Sequence, residues 1–275
     1  MQIELVGCTS AGKTTLARKM VKVGQAVGID VQLSDDFLLA CIGLNWIANE
    51  FIRRRIMELW ALLTCLLFLR KYRALFRFII RTCFRTSGSW LYRIKLARVT
   101  LRKIGIHEII RRRSTDRQAV LLDNEGILQA SHTLFVHASG PSFTGCLTDF
   151  LRLMPLPDVI AYLKQPEQLL IERTQARGHN RIPEGSDSGE VASFISQAVL
   201  MFEEIRGYPG LADRLLIIDG ERNRLESREA PTDPLLEWAA DLIRAGLANA
   251  PASNQLDAGN TSEYPALKAI PTTQQ

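Results

Sequence analysis

The sequence predicts an α/β fold: a five-stranded parallel sheet with helices on both faces, interrupted by one large basic helical insertion. Three observations carry this expectation. Short apolar runs recur at 3–6, 29–33, 119–122, 159–163 and 215–218. Helical periodicity fills most of the intervals, and 37–113 holds helical spacing with no strand-like run. The charge is also divided along the chain. Of 34 basic and 29 acidic residues, 18 and 3 fall in 51–117, so this segment carries +15. The remainder, with 16 basic and 26 acidic residues, carries −10, and the formal net charge of +5 hides the polarity.

Each element has a local reason. Ile3 to Val6 is an apolar run ending at Gly7, which reads as a buried strand. Lys13 to Ala26 spaces Leu16, Met20, Val23 and Ala26 as one helical face, and Gly28 stops it. Ile29 to Leu33 alternates like a second strand. The helical spacing from Phe37 to about Arg113 is broken near Ser87-Gly88-Ser89. Ala119 to Leu122 is the third strand. A helix start at Gly126, running to about His137, precedes a Ser139-Gly140-Pro141 loop and a short helix over 144–154. Val159 to Leu163 is the fourth strand, and Pro166 to Arg177 is a helix ended by Gly178. A polar loop over 181–190, a helix over 191–206 and a fifth strand over 215–218 follow. Pro234 to Leu247 is the last helix, capped by Thr232 or Asp233, and 248–275 reads as a disordered tail. The domain expected is thus 1–247, with 44–117 inserted in it.

Composition excludes several classes. With 275 residues and 47% hydrophobic content, the chain is neither disordered nor collagen-like. Five scattered cysteines without a CxxC pair give neither a disulfide framework nor a zinc site, so a cytoplasmic location is expected. The longest charge-free apolar stretch in the basic segment, Leu59 to Leu69, is 11 residues, against roughly 20 for a membrane span. His107, His132, His137 and His179 show no metal-binding spacing.

Gly7-Cys8-Thr9-Ser10-Ala11-Gly12-Lys13-Thr14, followed by Thr15, fits GxxxxGK[ST] between a strand and a helix. The glycines let the backbone wrap phosphate oxygens, and the helix N-terminus points at the anion. Lys13 reaches the outer phosphates, and the Thr14 hydroxyl suits Mg²⁺. A P-loop NTPase three-layer fold binding ATP and Mg²⁺ is therefore expected. A GTPase is disfavoured. Asp123-Asn124-Glu125-Gly126 fits DxxG, but Lys164-Gln165-Pro166-Glu167 lacks the Asn and Asp of a base reader.

Further residues suit phosphoryl transfer, which rests on positioning and charge neutralisation. Asp35 and Asp36 end the second strand beside the loop. Either can orient an acceptor hydroxyl, hold Mg²⁺, or cap the helix that follows. Asp123 ends a buried strand, as a metal-binding carboxylate does. Glu125 and Gln129 are weaker candidates. Arg173, Arg177 and Arg181 can converge on phosphates, or form a solvated face paired with Glu167 and Glu172. The loop over 178–190 suits a closing lid.

These pieces resemble the P-loop nucleotide kinases, and thymidylate-kinase-like proteins most of all, over 1–43 and 118–247. The segments that carry the resemblance are Leu33-Ser34-Asp35-Asp36-Phe37, Leu121 through Gln129, Pro157 through Leu163 with Pro166, Glu172 through Gly178, and Ile217-Ile218-Asp219-Gly220. The resemblance implies an ATP-dependent phosphotransferase with a small-molecule acceptor. Thymidylate kinases usually follow the third-strand Asp with an Arg that holds the acceptor phosphate. Here Asn124 stands in that place, so the acceptor is left open.

The insertion interleaves apolar residues with Arg and Lys. From Arg73 the basic residues fall at 73, 77, 81 and 85, a stripe along a helix. A cationic amphipathic helix with aromatic residues suits an anionic membrane surface, making residues 51–113 a peripheral attachment. Packing as a helical subdomain is the competing reading. The bulky aliphatics argue against nucleic acid. Arg111-Arg112-Arg113 instead suits an anionic substrate. A regulatory ATP-binding protein or a membrane-surface scaffold remains open as an activity class, and a homodimer as an assembly.

Overall fold

A computed structural model describes residues 1–43, 46–114, 119–136, 144–178, 182 and 187–220. The helix expected over 234–247, the tail from 248, the Ser139-Gly140-Pro141 loop and Arg181 lie outside the described residues.

The elements run β1 (Gln2–Val6), α1 (Lys13–Ala26), β2 (Val31–Leu33), α2 (Ser34–Ile42), α3 (Glu50–Leu67), α4 (Arg73–Arg85) and α5 (Trp90–Arg113). They continue with β3 (Val120–Asp123), α6 (Ala130–Phe135), α7 (Thr144–Leu153), β4 (Val159–Lys164), α8 (Glu167–Arg177), α9 (Ser188–Arg206), a 3₁₀ turn over Pro209–Arg214, and β5 (Leu215–Asp219). The sheet order is β2-β3-β1-β4-β5, and every pairing is parallel. Glu4 of β1 is in register with Asp123 of β3 and with Ile160 of β4. All of β1 is buried between the helical layers, which accounts for its apolar residues Ile3, Leu5 and Val6, with Glu4 the buried exception.

Five parallel strands therefore stand where the apolar runs placed them, with ends shifted by one or two residues. The helical readings need more correction. Ala26 is exposed, so the buried face of α1 is Leu16, Ala17, Met20, Val23 and Gly24. The stretch over 37–113 is four helices. Gly43, at φ 67°, ends α2, and the Asn49 side chain accepts from the N–H groups of Phe51 and Ile52 to start α3. The break over 68–72 has no glycine or proline to announce it. The helix expected from Gly126 begins only at Ala130.

The insertion is continuous with the core. Phe37 and Leu38 of α2, Ala61 of α3, and Ile109 and Ile110 of α5 pack with Ala119 and Leu121 at β3. Leu75, Ile79 and Cys83 of α4 join the main core, where Phe78 meets Phe135 and Phe150 at centroid distances of 6.4 and 6.1 Å. The apolar face of α4 is thus spent inside the protein, while Arg73, Arg77, Arg81 and Arg85 are all exposed.

Glu108, wholly buried on α5, fastens the three insertion helices. It accepts from Tyr72 Oη at 2.6 Å, Lys71 Nζ at 2.7 Å, Arg111 Nη2 at 2.7 Å and Arg112 Nε at 2.9 Å. Arg112 in turn lies over the Phe68 ring at 3.9 Å. These donors outweigh the burial of the carboxyl and hold it well below the usual carboxylate range. Gly105 lets α3 and α5 touch, since a Cβ there would stand 1.8 Å from the Ala61 carbonyl oxygen. Gly105→Ala should therefore force the two helices apart. A loss of about 1–3 kcal/mol in denaturant unfolding is expected, whereas an unchanged midpoint would show the contact to be loose.

Candidate functional site

The phosphate loop leaves the carboxyl end of the central strand, where open parallel sheets form their ligand crevices. Gly7 sits at φ 146°, and a Cβ on it would meet the Leu163 carbonyl oxygen at 2.7 Å. Gly12 takes φ 98° at the start of α1, and Ser10 holds φ 63° as the one described non-glycine residue with positive φ. Cys8 and Ala11 are buried beneath the turn, and the Cys8 carbonyl accepts from Ala11 N at 3.3 Å. Thr9 and Ser10 are half-buried, while Thr14 and Thr15 are exposed at the first turn of α1.

Lys13 folds back along the loop and donates to the carbonyls of Gly7 and Cys8 at 2.8 and 2.9 Å. Burial pulls its ammonium down to about 8, with the Cys8 thiol and Glu125 opposing the shift. The lysine thus tracks the loop, its ammonium held by two loop carbonyls.

Asp123 ends β3 next to the loop, 7% exposed, and its Oδ1 accepts from Glu125 N at 3.1 Å. Burial pushes its carboxyl up to about 6. Asn124 turns toward the loop, donating from Nδ2 to Thr14 Oγ1 at 2.9 Å, and leaves its buried Oδ1 without a hydrogen bond. Thr14 and Asp123 are an all-oxygen donor pair. They fit Mg²⁺, which takes one or two protein ligands and completes its shell with phosphates and water. Among the described residues no group of three or more His, Cys, Asp or Glu gathers as a self-sufficient metal cage.

Gln129, a weak candidate in the sequence, holds the loop from below. Its Oε1 accepts from Gly7 N at 3.2 Å and its Nε2 donates to Gly7 O at 3.1 Å. Glu4, absent from the sequence candidates, is fully buried in β1 and accepts from Gln129 N at 2.8 Å. A Cβ at Gly126 would collide with its carboxyl, at 2.3 Å from Cδ. Burial and the neighbouring Asp123 push Glu4 up to about 8. A lone acid inside the run Ile3–Val6 was the sequence signal for it.

The structure separates Asp35 from Asp36. Both lie in the first turn of α2, whose start has no side-chain cap, so the capping role does not apply. Burial raises the Asp35 carboxyl, while Arg102 pulls it down and Glu125 adds to the rise. Asp36 lines a hollow of about 570 Å³ at the β2 edge, together with Arg18, Lys22 and Gln25.

Lys103 was also missed. It sits on α5, 4% exposed, and burial lowers its pKa against the attraction of Glu125, Asp123 and Glu4. The insertion therefore carries a buried cation that the charge of these carboxylates stabilises.

Arg173 and Arg177 are exposed on α8, with no ion pair among the described residues. Glu172 and Glu167 accept instead from Gln168 and Ser196. Arg173 Nη1 stands 3.5 Å from the Ser10 carbonyl oxygen, and Thr174 Oγ1 meets Ser10 Oγ at 3.2 Å. Arg177 is near enough to depress the Lys13 ammonium. Arg181 and most of the expected lid lie outside the described residues, as do His137 and His179. His107 is buried, which pulls it down to about 4, and His132 stacks against Phe202.

Parallel strands in this order, with the loop at the end of β1, define a P-loop fold of the nucleotide-kinase-like type. No protein-family model matches the sequence, and no curated protein matches it. Among solved structures the chain is similar to thymidylate kinase from Ehrlichia chaffeensis, with a TM-score of 0.43 and 11% identity, covering 89% of this chain and 96% of that one. It is similar to deoxyadenosine kinase from M. mycoides, with a TM-score of 0.41 and 12% identity over 90% and 99% of the two chains. The corresponding values for shikimate kinase from Acinetobacter baumannii are 0.37 and 14%, over 90% and 94%.

The raised carboxyl of Glu4 makes stability depend on pH. The folded chain keeps a proton that the unfolded chain releases between 4.5 and about 8. The contribution is complete below the lower value and is lost as pH rises through the upper one. Asp123 acts in the same direction between 3.8 and about 6. Glu4→Gln should accordingly flatten the fall in Tm between about pH 6 and 8.5. A fall as steep as that of the unsubstituted chain would show Glu4 to be ionised.

Proposed function

We propose that this chain is an ATP- and Mg²⁺-dependent phosphotransferase that phosphorylates a small-molecule acceptor at a membrane surface. The observation that carries the reading is the meeting of Lys13, Thr14 and Asp123 at one crevice, with Asn124 spanning from the β3 end to Thr14. Bound Mg²⁺ would neutralise charge on the phosphates, with Thr14 and Asp123 as its protein ligands. The loop amides and Lys13 hold the β- and γ-phosphates. Arg173 and Arg177, free of carboxylate partners among the described residues, offer guanidinium forks to the transferring group, and Arg181 belongs to the same proposal. Asp35 orients the acceptor hydroxyl and takes its proton. Burial raises its carboxyl above the ordinary aspartate range, which makes it a stronger base when ionised. Asp36, at the sheet edge, takes no part.

The membrane reading rests on α3 and the α4–α5 turn, since α4 spends its apolar face in the core. Leu59, Leu63, Leu66 and Leu67 are exposed at helical spacing along α3, and Phe84, Trp90, Leu91 and Ile94 are exposed around the turn. The exposed arginines of α4 supply attraction to anionic headgroups, about 1 kcal/mol each near such a surface. No described helix is long and apolar enough to cross a membrane.

Labelled ATP offered with nucleosides, nucleotides, sugars and lipid-linked alcohols tests the activity. A phosphorylated acceptor is expected, with the label lost in Lys13→Ala. Asp35→Asn should lower transfer by about 10²-fold or more while ATP binding is kept. Phosphate released only to water would favour a regulatory ATPase instead. For the surface, the chain should float with anionic liposomes at low salt. Leu63→Glu with Leu67→Glu should reduce the bound fraction by at least about tenfold. No flotation at low salt would reject the attachment.

A further inference from the structure

Ser10 stands where a glycine would be expected. The Ala11 N–H donates to the Cys8 carbonyl at 3.3 Å, which closes Cys8-Thr9-Ser10-Ala11 as a turn with Ser10 at its third position, and φ there is 63°. Turns with a positive φ at that position take glycine as a rule, because the left-handed region disfavours a Cβ. Another residue keeps such a conformation only where its surroundings hold it. The conformation also bears on binding. Left-handed residues in a loop gather successive N–H groups into a concavity for an anion.

What holds Ser10 comes from α8. This helix follows β4, the strand beside β1, and buries two residues, Leu170 and Thr174, one turn apart on one face. Leu170 belongs to the main core. Thr174 is 1% exposed, at a place where an apolar residue would serve packing alone. A buried hydroxyl costs free energy unless it is hydrogen-bonded. Thr174 Oγ1 donates to Ser10 Oγ at 3.2 Å, and among the described residues Ser10 is the partner of that hydroxyl. Arg173 Nη1, one residue earlier, stands 3.5 Å from the Ser10 carbonyl oxygen. The end of β4 backs the loop at a second place, where the Leu163 carbonyl oxygen lies 2.7 Å from the position of a Cβ on Gly7. The β4–α8 unit therefore supports the loop at Gly7 by close approach and at Ser10 by a side-chain hydrogen bond.

Building on the nucleotide-binding part of the reading above, we propose that Thr174 is a positioning residue for the phosphate loop. Its hydroxyl, through Ser10 Oγ, holds the left-handed turn at Ser10 and so keeps the loop in its anion-binding shape before nucleotide arrives. Thr174 acts through Ser10 and not by touching phosphate. The same hydrogen bond ties the loop to the helix that carries Arg173 and Arg177.

Calorimetric titration of the full chain with Mg²⁺–ADP tests this, on a cycle of Thr174→Val, Ser10→Gly and the two together. Valine keeps the shape of threonine and removes the hydroxyl. Glycine adopts the left-handed turn with no side chain to be held. Thr174→Val alone should weaken Mg²⁺–ADP binding by about fivefold or more. Thr174→Ser, which keeps the hydroxyl, should stay within about twofold of the unsubstituted chain. In the Ser10→Gly background, Thr174→Val should change the affinity by less than about twofold, because nothing is left for the hydroxyl to hold. Thr174→Ala is carried in parallel, so that a folding defect in the valine variant decides nothing. An equal loss in both backgrounds would overturn the proposal and leave Thr174 as a packing residue of α8. Unchanged affinity in the Ser10 background would overturn it as well. Failure of the unsubstituted chain to bind Mg²⁺–ADP would instead overturn the nucleotide reading on which it rests.

Discussion

The paired hydrogen bonds between the Gln129 amide and the backbone of Gly7 are the constraint on which the site depends. Gly7 is where the central strand turns into the phosphate loop, and its conformation admits no side chain. Gln129 grips both its N–H and its carbonyl, and Glu4 grips the backbone N–H of Gln129 from within the sheet. Gly126 is the residue that lets the turn close over the Glu4 carboxyl. One buried network therefore fixes the loop over 7–15 relative to the β3 end that carries Asp123. Buried networks of this kind restrict geometry even where, as at Glu4 Oε2, one atom has no hydrogen-bond partner. Here the network ties the start of the phosphate loop to the turn after β3, whose Asn124 reaches Thr14.

The same reasoning explains how an acidic domain tolerates a segment of such positive charge. The insertion does not scatter its cations at random. Glu108 collects Lys71, Arg111 and Arg112 at the junction of α4 and α5, and Glu58 receives Arg55 and Arg98 between α3 and α5. The stripe over Arg73, Arg77, Arg81 and Arg85 is turned to solvent, while Lys103 is turned inward. Burying the apolar face of α4 keeps these roles apart, since each fully buried Leu or Ile contributes about 1.5–3 kcal/mol to holding the helix on the domain. The insertion consequently sorts its cations into paired, solvent-exposed and buried ones.

Much of this was legible in the sequence, and the limits are physical. The loop 7–15 is a contiguous motif whose chemistry is local, so its reading needed no tertiary information. The strands were visible because parallel strands buried on both faces are unbroken apolar runs. Periodicity registers that α4 is amphipathic, but it cannot say whether the apolar face meets lipid or the protein's own Phe135 and Phe150. The break over 68–72 carries no glycine or proline and is imposed by packing around Glu108. Asp35 and Asp36 are adjacent in the chain, and only the direction of α2 sends one toward the crevice and the other toward the β2 edge. Glu4 and Lys103 announce themselves as single charges in apolar surroundings, at Ile3–Val6 and beside Ile104-Gly105-Ile106. That signal marks a buried charge without naming its partner.

The phosphate loop and the β3–α6 turn form one ligand site in the proposed reading, joined by the Gln129–Gly7 and Asn124–Thr14 hydrogen bonds. Hydrogen–deuterium exchange with and without Mg²⁺–AMP-PNP measures this most directly. Slower exchange is expected in both 7–15 and 123–129. Protection of 7–15 with no change at all in 123–129 would contradict the account.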